Sequence, residues 1–526
     1  VVTAVLKFLF LFLCLFGTAS AHASPDSSDI HKILEQDKIT EAGIELDREG
    51  LTEFYSARDF RPAWSFSGSD TQTSFNAFLD SLDKLVRYHG LQTADYPIDT
   101  MRKMSGDGVI LELFVTDTLL HIAHDLHGDD VDLDHLYVGW DWHQVDRDIP
   151  VELAGAIKNN RLSAYVDELS PKFPAYGQLA HVLEIYRAVS ARGGWSKVER
   201  GASLRPGDSG VRVKQLRARL AAEDFLPSDN QSPMFDEELE NALITWQTRH
   251  GLEPDGHAGG KTIEALNVTV QKRIGQIRAN MQRWRHMPAD FPPDRYVLVN
   301  IGDTTVTITE NGKAIYRGPV VVGKVDRKTP FINSEIRSVI VNPSWHVPAK
   351  IAEKDILPKL RKDPHYLEKL GFTIRGSEDD PYGENIDWNA MSARAFVVRL
   401  RQDPGEMNSL GRLKFDFDND FAVYMHGTPH QELFAKYARY FSSGCVRLRD
   451  PGKVGAIILS SNKDAWPIDR IDREIDTGKT RWVNVTHPWP IYFLYWTVFT
   501  DADGMVNFRE DIYDYDKIIV ENQLDR

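Results

Sequence analysis

Cys445 stands in Ser442-Ser443-Gly444-Cys445-Val446-Arg447, and His426 precedes it in Tyr424-Met425-His426-Gly427-Thr428. A lone thiol with a histidine elsewhere in the chain is the sequence trace of a nucleophile and its base. Gly444 lets the backbone approach a substrate closely. Arg447 lies two residues past the thiol, so in an extended segment it points to the same side. The competing reading is a buried structural cysteine, the commonest fate of a free one. A preceding glycine, flanking hydroxyls and a following arginine make a poor apolar niche, which favours catalysis.

The chain has one other cysteine, Cys14. It lies in an apolar run from Phe8 to Phe16 that follows Lys7 and ends near Ala19 and Ala21, the small-residue pattern of a cleaved secretory signal. Residues 1–21 are therefore expected to be a signal peptide. The run is too short to span a bilayer, which takes roughly 20 apolar residues, and no membrane span is expected in the mature form. Leu11-Phe12-Leu13 lacks the small residues that precede a lipidated cysteine. Removal of Cys14 leaves Cys445 alone, without an internal disulfide. An isolated thiol in an oxidising compartment is retained for its chemistry more often than for packing.

With 526 residues, 42% hydrophobic and 26% charged, the chain is sized and composed for about three globular domains. Its net charge of −15 argues against nucleic acid and anionic membrane surfaces, since phosphate binding needs a basic field.

The elements that must position the thiol fall into three zones. Residues 24–195 read as mainly helical: Phe75, Phe78, Leu79, Leu82 and Leu85 recur at helical spacing, and Leu111 to Leu126 reads as an amphipathic helix. Here lie His121, His124 and His127, followed by Asp129, Asp130, Asp132 and Asp134. A spacing of three drifts around a helix, so these histidines converge poorly on one ion, and no metal or other cofactor is expected. A Gly/Pro/Ser-rich stretch from Gly193 to Gly210 marks a boundary. Residues 205–268 then carry two apolar stripes (Val213, Leu216 and Leu220; Leu239, Leu243 and Trp246), a turn at Asp255 to Thr262, and a short third helix through Ile263 and Leu266.

From Arg295 the period changes to two. Tyr296 to Ile301, Thr305 to Glu310 and Ala314 to Val322 read as strands, with Asn311-Gly312 as a tight turn. Phe421 to His426 reads as a strand ending on the histidine. Helix-like pieces at Ile351 to Leu360 and Tyr366 to Leu370 point to an inserted cap over about 349–414. Ile491 to Thr500 and Met505 to Phe508 read as a hairpin around Asp501-Ala502-Asp503-Gly504, a turn that lacks the closing glutamate of a calcium loop.

Residues 205–268 resemble the peptidoglycan-binding module of bacterial wall enzymes in the Gly-Asp-Ser-Gly entry, the Trp246-Gln247 pair and the Asp-Gly-x-x-Gly-x-x-Thr exit. The catalytic segment resembles the L,D-transpeptidases with a YkuD-type β-fold. The matching residues are Tyr-Met-His-Gly at 424–427, Ser-Ser-Gly-Cys-Val-Arg at 442–447, Asn342-Pro343-Ser344-Trp345-His346-Val347-Pro348, and Val320 to Lys324 through Thr329-Pro330. Many members carry a histidine where this chain has Ser443; serine is common in the large exported Gram-negative members, whose domain order this chain shares.

The resemblance implies a multidomain α+β protein: a helical N-terminal scaffold, a three-helix peptidoglycan-binding module, and a mostly-β catalytic domain over 295–475 with an inserted helical cap. Residues 476–526 would complete that domain as a β extension. It also implies a periplasmic location in a Gram-negative bacterium and a tetrapeptide stem of the sacculus as donor, cleaved before its terminal D-Ala. Cys445 would be the nucleophile, with a thiol lowered by a histidinium at His426. The Gly427 carbonyl would orient the imidazole. Backbone N–H groups at Gly444 and Cys445 would form the oxyanion hole, with Ser443, Arg447, Tyr424 and Trp345 placing substrate. Transfer to a diaminopimelate amine gives a 3-3 cross-link, and carbapenem-type β-lactams are the implied inhibitors. The alternatives are an L,D-carboxypeptidase or amide hydrolase on the same stems, and a non-catalytic wall-binding adaptor. A zinc peptidase fits poorly, because His426 to His430 lacks the glutamate of a zinc helix.

Overall fold

The computed structural model describes residues 26–522, apart from 65–70, 105–107, 130, 141, 143–144, 229, 392–397 and 502. The segment read as a signal peptide, with Cys14, lies outside the described residues, as do Asp130 and Ala502.

The N-terminal region is helical, and its organising element is the helix Val109–His127. This helix is not amphipathic as its spacing suggested. Every residue from Leu111 to Leu120 is buried, because the helices Arg48–Ser56, Ile149–Lys158 and Leu162–Leu169 pack around it. A helix buried on all sides is a core helix. Its buried Glu112 is satisfied by Tyr55 Oη at 2.8 Å and the Ala63 N–H at 2.5 Å.

Residues 211–266 fold as three helices, Val211–Ala221, Glu237–Arg249 and Gly260–Leu266, with the predicted stripes facing inward. Trp246 is fully buried, and its indole N–H donates to Glu223 Oε2 at 2.8 Å. The module packs on the C-terminal hairpin: His250 stacks on Phe508, and Arg249 pairs with Asp501 at 3.1 Å.

The helix Val270–Arg285 has no counterpart in the sequence reading. It is rich in arginine yet buried, and its guanidinium groups join the domains. Arg278 Nε donates to the Gly90 carbonyl at 2.6 Å, Arg285 Nη1 to that of His89 at 2.8 Å, and Arg283 pairs with Asp516 at 2.6 Å.

The C-terminal region is built on a nine-stranded sheet: β1 (Arg295–Asn300), β2 (Thr305–Glu310), β3 (Lys313–Gly323), β4 (Ile332–Val341), β5 (Leu413–Phe417), β6 (Met425–His426), β7 (Tyr440–Ser442), β8 (Val446–Leu448) and β9 (Arg481–Leu494). The spatial order is β7-β3-β8-β6-β5-β4-β9-β1-β2, and a further β2–β3 pairing brings the ends together. β3 serves both ends: its first half pairs with β2, and its second half with β8 and β7. Asn311 and Gly312, both at positive φ, make the expected tight turn.

β9 is longer than the expected strand and begins ten residues earlier, at Arg481. It lies between β4 and β1, inside the sheet, despite Pro488 and Pro490. The register breaks between Asn484 and Trp489, so Pro488 lies in the gap of the ladder. The chain leaves β9 at Leu494, and Val498–Thr500 pairs with Val506–Phe508. The cap is not purely helical. A continuous helical run over Ala349–Leu360, with a π turn at Ala352–Ile356, packs with a small sheet of Trp345–His346, Leu400–Gln402 and Phe372–Ile374. Leu413 and Lys414 belong to β5 of the main sheet rather than to the cap.

Candidate active site

The expected strand Phe421 to His426 shrinks to Met425–His426. Ala422 has a positive φ, and the Asn419 side chain caps the bend by accepting from the Val423 N–H at 3.0 Å and donating to its carbonyl at 2.7 Å. β6 then pairs antiparallel with β5 and parallel with β8. In that register His426 faces Lys414 on one side and Arg447 on the other, and the Val446 N–H donates to the Tyr424 carbonyl at 3.1 Å. Met425 and Val446 turn into the core. Tyr424, His426, Cys445 and Arg447 all line one groove of about 640 Å³. Trp345, Ser443 and Gly444 line it too, and the cap contributes Asp355, Lys359, Tyr366 and Phe372.

The loop carrying Cys445 is held from behind. Gly444 sits at φ 117°, a backbone region costly for any side chain. Its carbonyl accepts from Thr329 Oγ1 at 2.8 Å, and the same hydroxyl accepts from the Gly323 N–H at 2.8 Å. Tyr513 locks this loop by donating to the Gly323 carbonyl at 2.5 Å and accepting from the Thr329 N–H at 3.2 Å. The Gly444 N–H donates to Ser442 Oγ at 3.1 Å. Of the two expected oxyanion donors, it is therefore already engaged.

The electrostatics run against the expected ion pair. Burial, with Arg447 and Lys414 alongside, brings the His426 imidazole down to about 3, against the pull of the Gly427 and Leu410 carbonyls. Burial also pushes the Cys445 thiol up, although Arg447, Lys414 and hydrogen bonds from Tyr424 favour the thiolate. Both shifts favour the uncharged thiol and imidazole over the expected thiolate and histidinium. His426 Nδ1 lies 2.5 Å from the Gly427 carbonyl. A carbonyl can only accept, so Nδ1 carries the proton and Nε2 is left basic. Burial, reinforced by the charge that Cys445 can carry, keeps the Tyr424 phenol protonated.

Residues 294–457 match the family model of YkuD, the L,D-transpeptidase catalytic domain. The chain carries a YkuD domain. Residues 49–183 match a scaffold domain and residues 209–266 a peptidoglycan binding domain. A Haemophilus influenzae protein, described as an inferred L,D-transpeptidase, is 31% identical over 276 residues, covering 51% of this chain and 54% of that protein. The chain thus spans about half the length of that relative. Among solved structures, an L,D-transpeptidase of Xylanimonas cellulosilytica is 12% identical with a TM-score of 0.18, covering 56% of this chain and 98% of its own. The avibactam carbamoyl enzyme of Ldtfm is 10% identical with a TM-score of 0.19, covering 60% of this chain and 98% of its own.

Within the YkuD domain, the residues singled out from sequence divide by position. Cys445, His426, Arg447, Tyr424, Trp345, Ser443 and Gly444 share the groove, while Gly427 stands behind the imidazole. Thr329, Arg327 and Lys414 were missed as site residues, and so was Tyr513 of the C-terminal extension. Thr329 was within reach, because Thr329-Pro330 is part of the family-like hairpin. The histidine cluster of the scaffold is elsewhere. His124 Nδ1 and His127 Nδ1 each contact Asp129 at 2.9 Å, while His121 pairs with Asp117 at 3.8 Å. Two rings thus share Asp129, while His121 turns to a different carboxylate.

Proposed function

We propose that this protein is an L,D-transpeptidase acting on peptidoglycan stems. The carrying observation is that Cys445 and His426 line one groove with Arg447 and Tyr424, at the starts of two adjacent strands that pair His426 with Arg447. Cys445 Sγ attacks the carbonyl at the L-centre of diaminopimelate in a tetrapeptide stem as His426 Nε2 takes the thiol proton. Because both groups start neutral, charge separates only as the bond forms. The Cys445 N–H then supports the developing oxyanion, where losing a donor typically costs about 3 kcal/mol. The imidazolium returns its proton to the departing D-Ala nitrogen, and the C–N bond breaks to leave a thioester. A diaminopimelate amine of a second stem attacks that thioester, His426 accepts its proton, and the thiol is restored with a 3-3 cross-link. Water in place of the amine gives the trimmed stem.

The domain order supports an exported, wall-attached enzyme, and the periplasm of a Gram-negative bacterium is the location this reading requires. Among the described residues no helix is long and apolar enough to cross a membrane. The test is intact mass after incubation with purified tetrapeptide stems. Cross-linked dimers that have lost one D-Ala are expected. Trimmed monomers alone would make the protein a carboxypeptidase, and untouched stems would leave a wall-binding adaptor.

A further inference from the structure

The loop between β3 and β4 contains a turn of 3-10 helix at Val325–Arg327. Its last residue reaches two ways. Both terminal nitrogens of Arg327 donate to Asp355: Nη2 to Oδ1 at 3.0 Å, and Nη1 to Oδ2. Nη1 also donates to Ser443 Oγ at 2.9 Å. Asp355 sits in the π turn of the cap helix, and Ser443 directly precedes Gly444-Cys445. One guanidinium therefore joins the cap to the nucleophile loop, and all three residues line the groove.

A planar guanidinium fork is matched to a carboxylate, which it binds through two parallel hydrogen bonds. Here the fork is set into the groove wall, 11% exposed, while the acid it holds is 35% exposed. A carboxylate arriving from solution offers the fork the same two acceptor oxygens as Asp355 and can exchange with it. Lys350 and Arg447 also line the groove, and two further cations there are tied to other partners. Lys328 Nζ donates to the Tyr513 carbonyl at 2.6 Å, and Lys359 Nζ to Tyr366 Oη at 3.1 Å.

We propose that Arg327 is the receptor for a carboxylate of the peptide substrate, and that Asp355 is an internal stand-in occupying it until substrate arrives. The proposal rests on reading the groove as a site for anionic peptidoglycan stems. A stem carboxylate on Arg327 releases Asp355, and with it one tether of the cap. The bond to Ser443 remains, so the bound carboxylate is indexed to the loop carrying Cys445. Substrate recognition and cap position become one event.

The test is calorimetric binding of a purified disaccharide-tetrapeptide to the full chain carrying Cys445→Ala. Two further ligands are the same stem with its D-Ala carboxylate amidated and with its diaminopimelate side carboxyl amidated. Arg327→Gln should weaken the free stem by about tenfold, as for a lost charge-assisted bond, and should hardly affect one of the amidated stems. That stem identifies the carboxylate. Arg327→Lys should fall between, because it keeps the charge without the fork. Asp355→Asn should tighten the free stem. Equal weakening of all three stems by Arg327→Gln, or weaker binding by Asp355→Asn, would make the pair a structural latch and overturn the proposal. Turnover by the unsubstituted chain is read separately. A chain that discriminates these stems yet releases no D-Ala keeps the receptor and loses the transpeptidase reading.

Discussion

His426 lies directly opposite Arg447 in the parallel pairing of β6 with β8, so the candidate base is fixed beside a permanent positive charge. Lys414 flanks it from β5 in the antiparallel register. Two cations and full burial make a charged imidazole unfavourable at rest. The same cations favour a thiolate on Cys445 and an oxyanion in the groove. The arrangement suits a base that is neutral before the reaction and charged only during it.

The first prediction concerns the pair as a unit. Cys445→Ala should abolish turnover of tetrapeptide stems while leaving the far-ultraviolet circular dichroism unchanged. His426→Ala should come close to the same loss, because nucleophile and base act together and their effects do not add. Intact mass of the stems reads both. Cross-linking by the Cys445→Ala protein at the unsubstituted rate would end the cysteine mechanism.

The second prediction is the pH dependence of the thiol. Its folded pKa is raised above the ordinary value, so it stays protonated through the range where a free cysteine ionises. Alkylation by iodoacetamide needs the thiolate. Its rate at Cys445 should be small at neutral pH and still be climbing beyond about 8.5, the free-cysteine value. Arg447 favours the thiolate, so Arg447→Ala should move the midpoint further up. A midpoint well below that of free cysteine would restore the thiolate–histidinium pair expected from sequence.

The electrostatics of this pair mark where sequence legibility ends. The strand Thr305–Glu310 and the turn at Asn311-Gly312 were readable because alternation and turn chemistry are local. Placement of Cys445 with His426 was readable from motif and resemblance. The charge state of His426 was not, because it depends on which cations the register of three strands sets around it. The arginine-rich helix Val270–Arg285 went unread for a similar reason. Its composition suits a solvated surface, and only the carbonyls of His89 and Gly90 and the Asp516 carboxylate explain its burial. Pro488 and Pro490 concealed β9, which a register break makes possible.

A third prediction tests the support behind the nucleophile. Thr329→Val keeps side-chain volume but removes the hydroxyl that links the Gly444 carbonyl to the Gly323 N–H. Two buried backbone groups lose a partner, at a cost of about 1–3 kcal/mol. Turnover should fall about tenfold or more with a modest drop in melting temperature. Thr329→Ser should recover most of the rate, since it restores the hydroxyl. Equal rates for the valine and serine variants would remove Thr329 from the positioning network.

The binding module gives a fourth. Trp246 is fully buried at the centre of its three helices, with its indole N–H on Glu223. Trp246→Ala should destabilise the module by about 3–5 kcal/mol and weaken retention on insoluble sacculi. Turnover of small soluble stems should suffer less. Because His250 stacks on Phe508 of the C-terminal hairpin, deleting the module outright would expose an apolar face, and the point substitution is the cleaner test. Unchanged retention by the Trp246→Ala protein would reduce residues 209–266 to a spacer.

The last prediction uses the thiol as its own reporter. A strained β-lactam ring presents an acyl carbon, and attack by Cys445 Sγ opens the C–N bond to leave a thioester, with the ring nitrogen taking the proton that His426 carried. A carbapenem should therefore add its full mass to the protein, because ring opening loses no atoms. The tryptic peptide Tyr440–Arg447 should carry the adduct. Nε2 of His426 is neutral down to about pH 3, so the acylation rate should hold into mildly acidic solution and not fall near the ordinary histidine pKa of about 6.5. His426→Ala should slow acylation while iodoacetamide still labels the thiol at high pH. That contrast separates a reachable cysteine from one equipped for acyl transfer. A stable adduct on a serine, or alkylation of Cys445 without any acylation, would shift the weight from catalysis to the wall-binding adaptor.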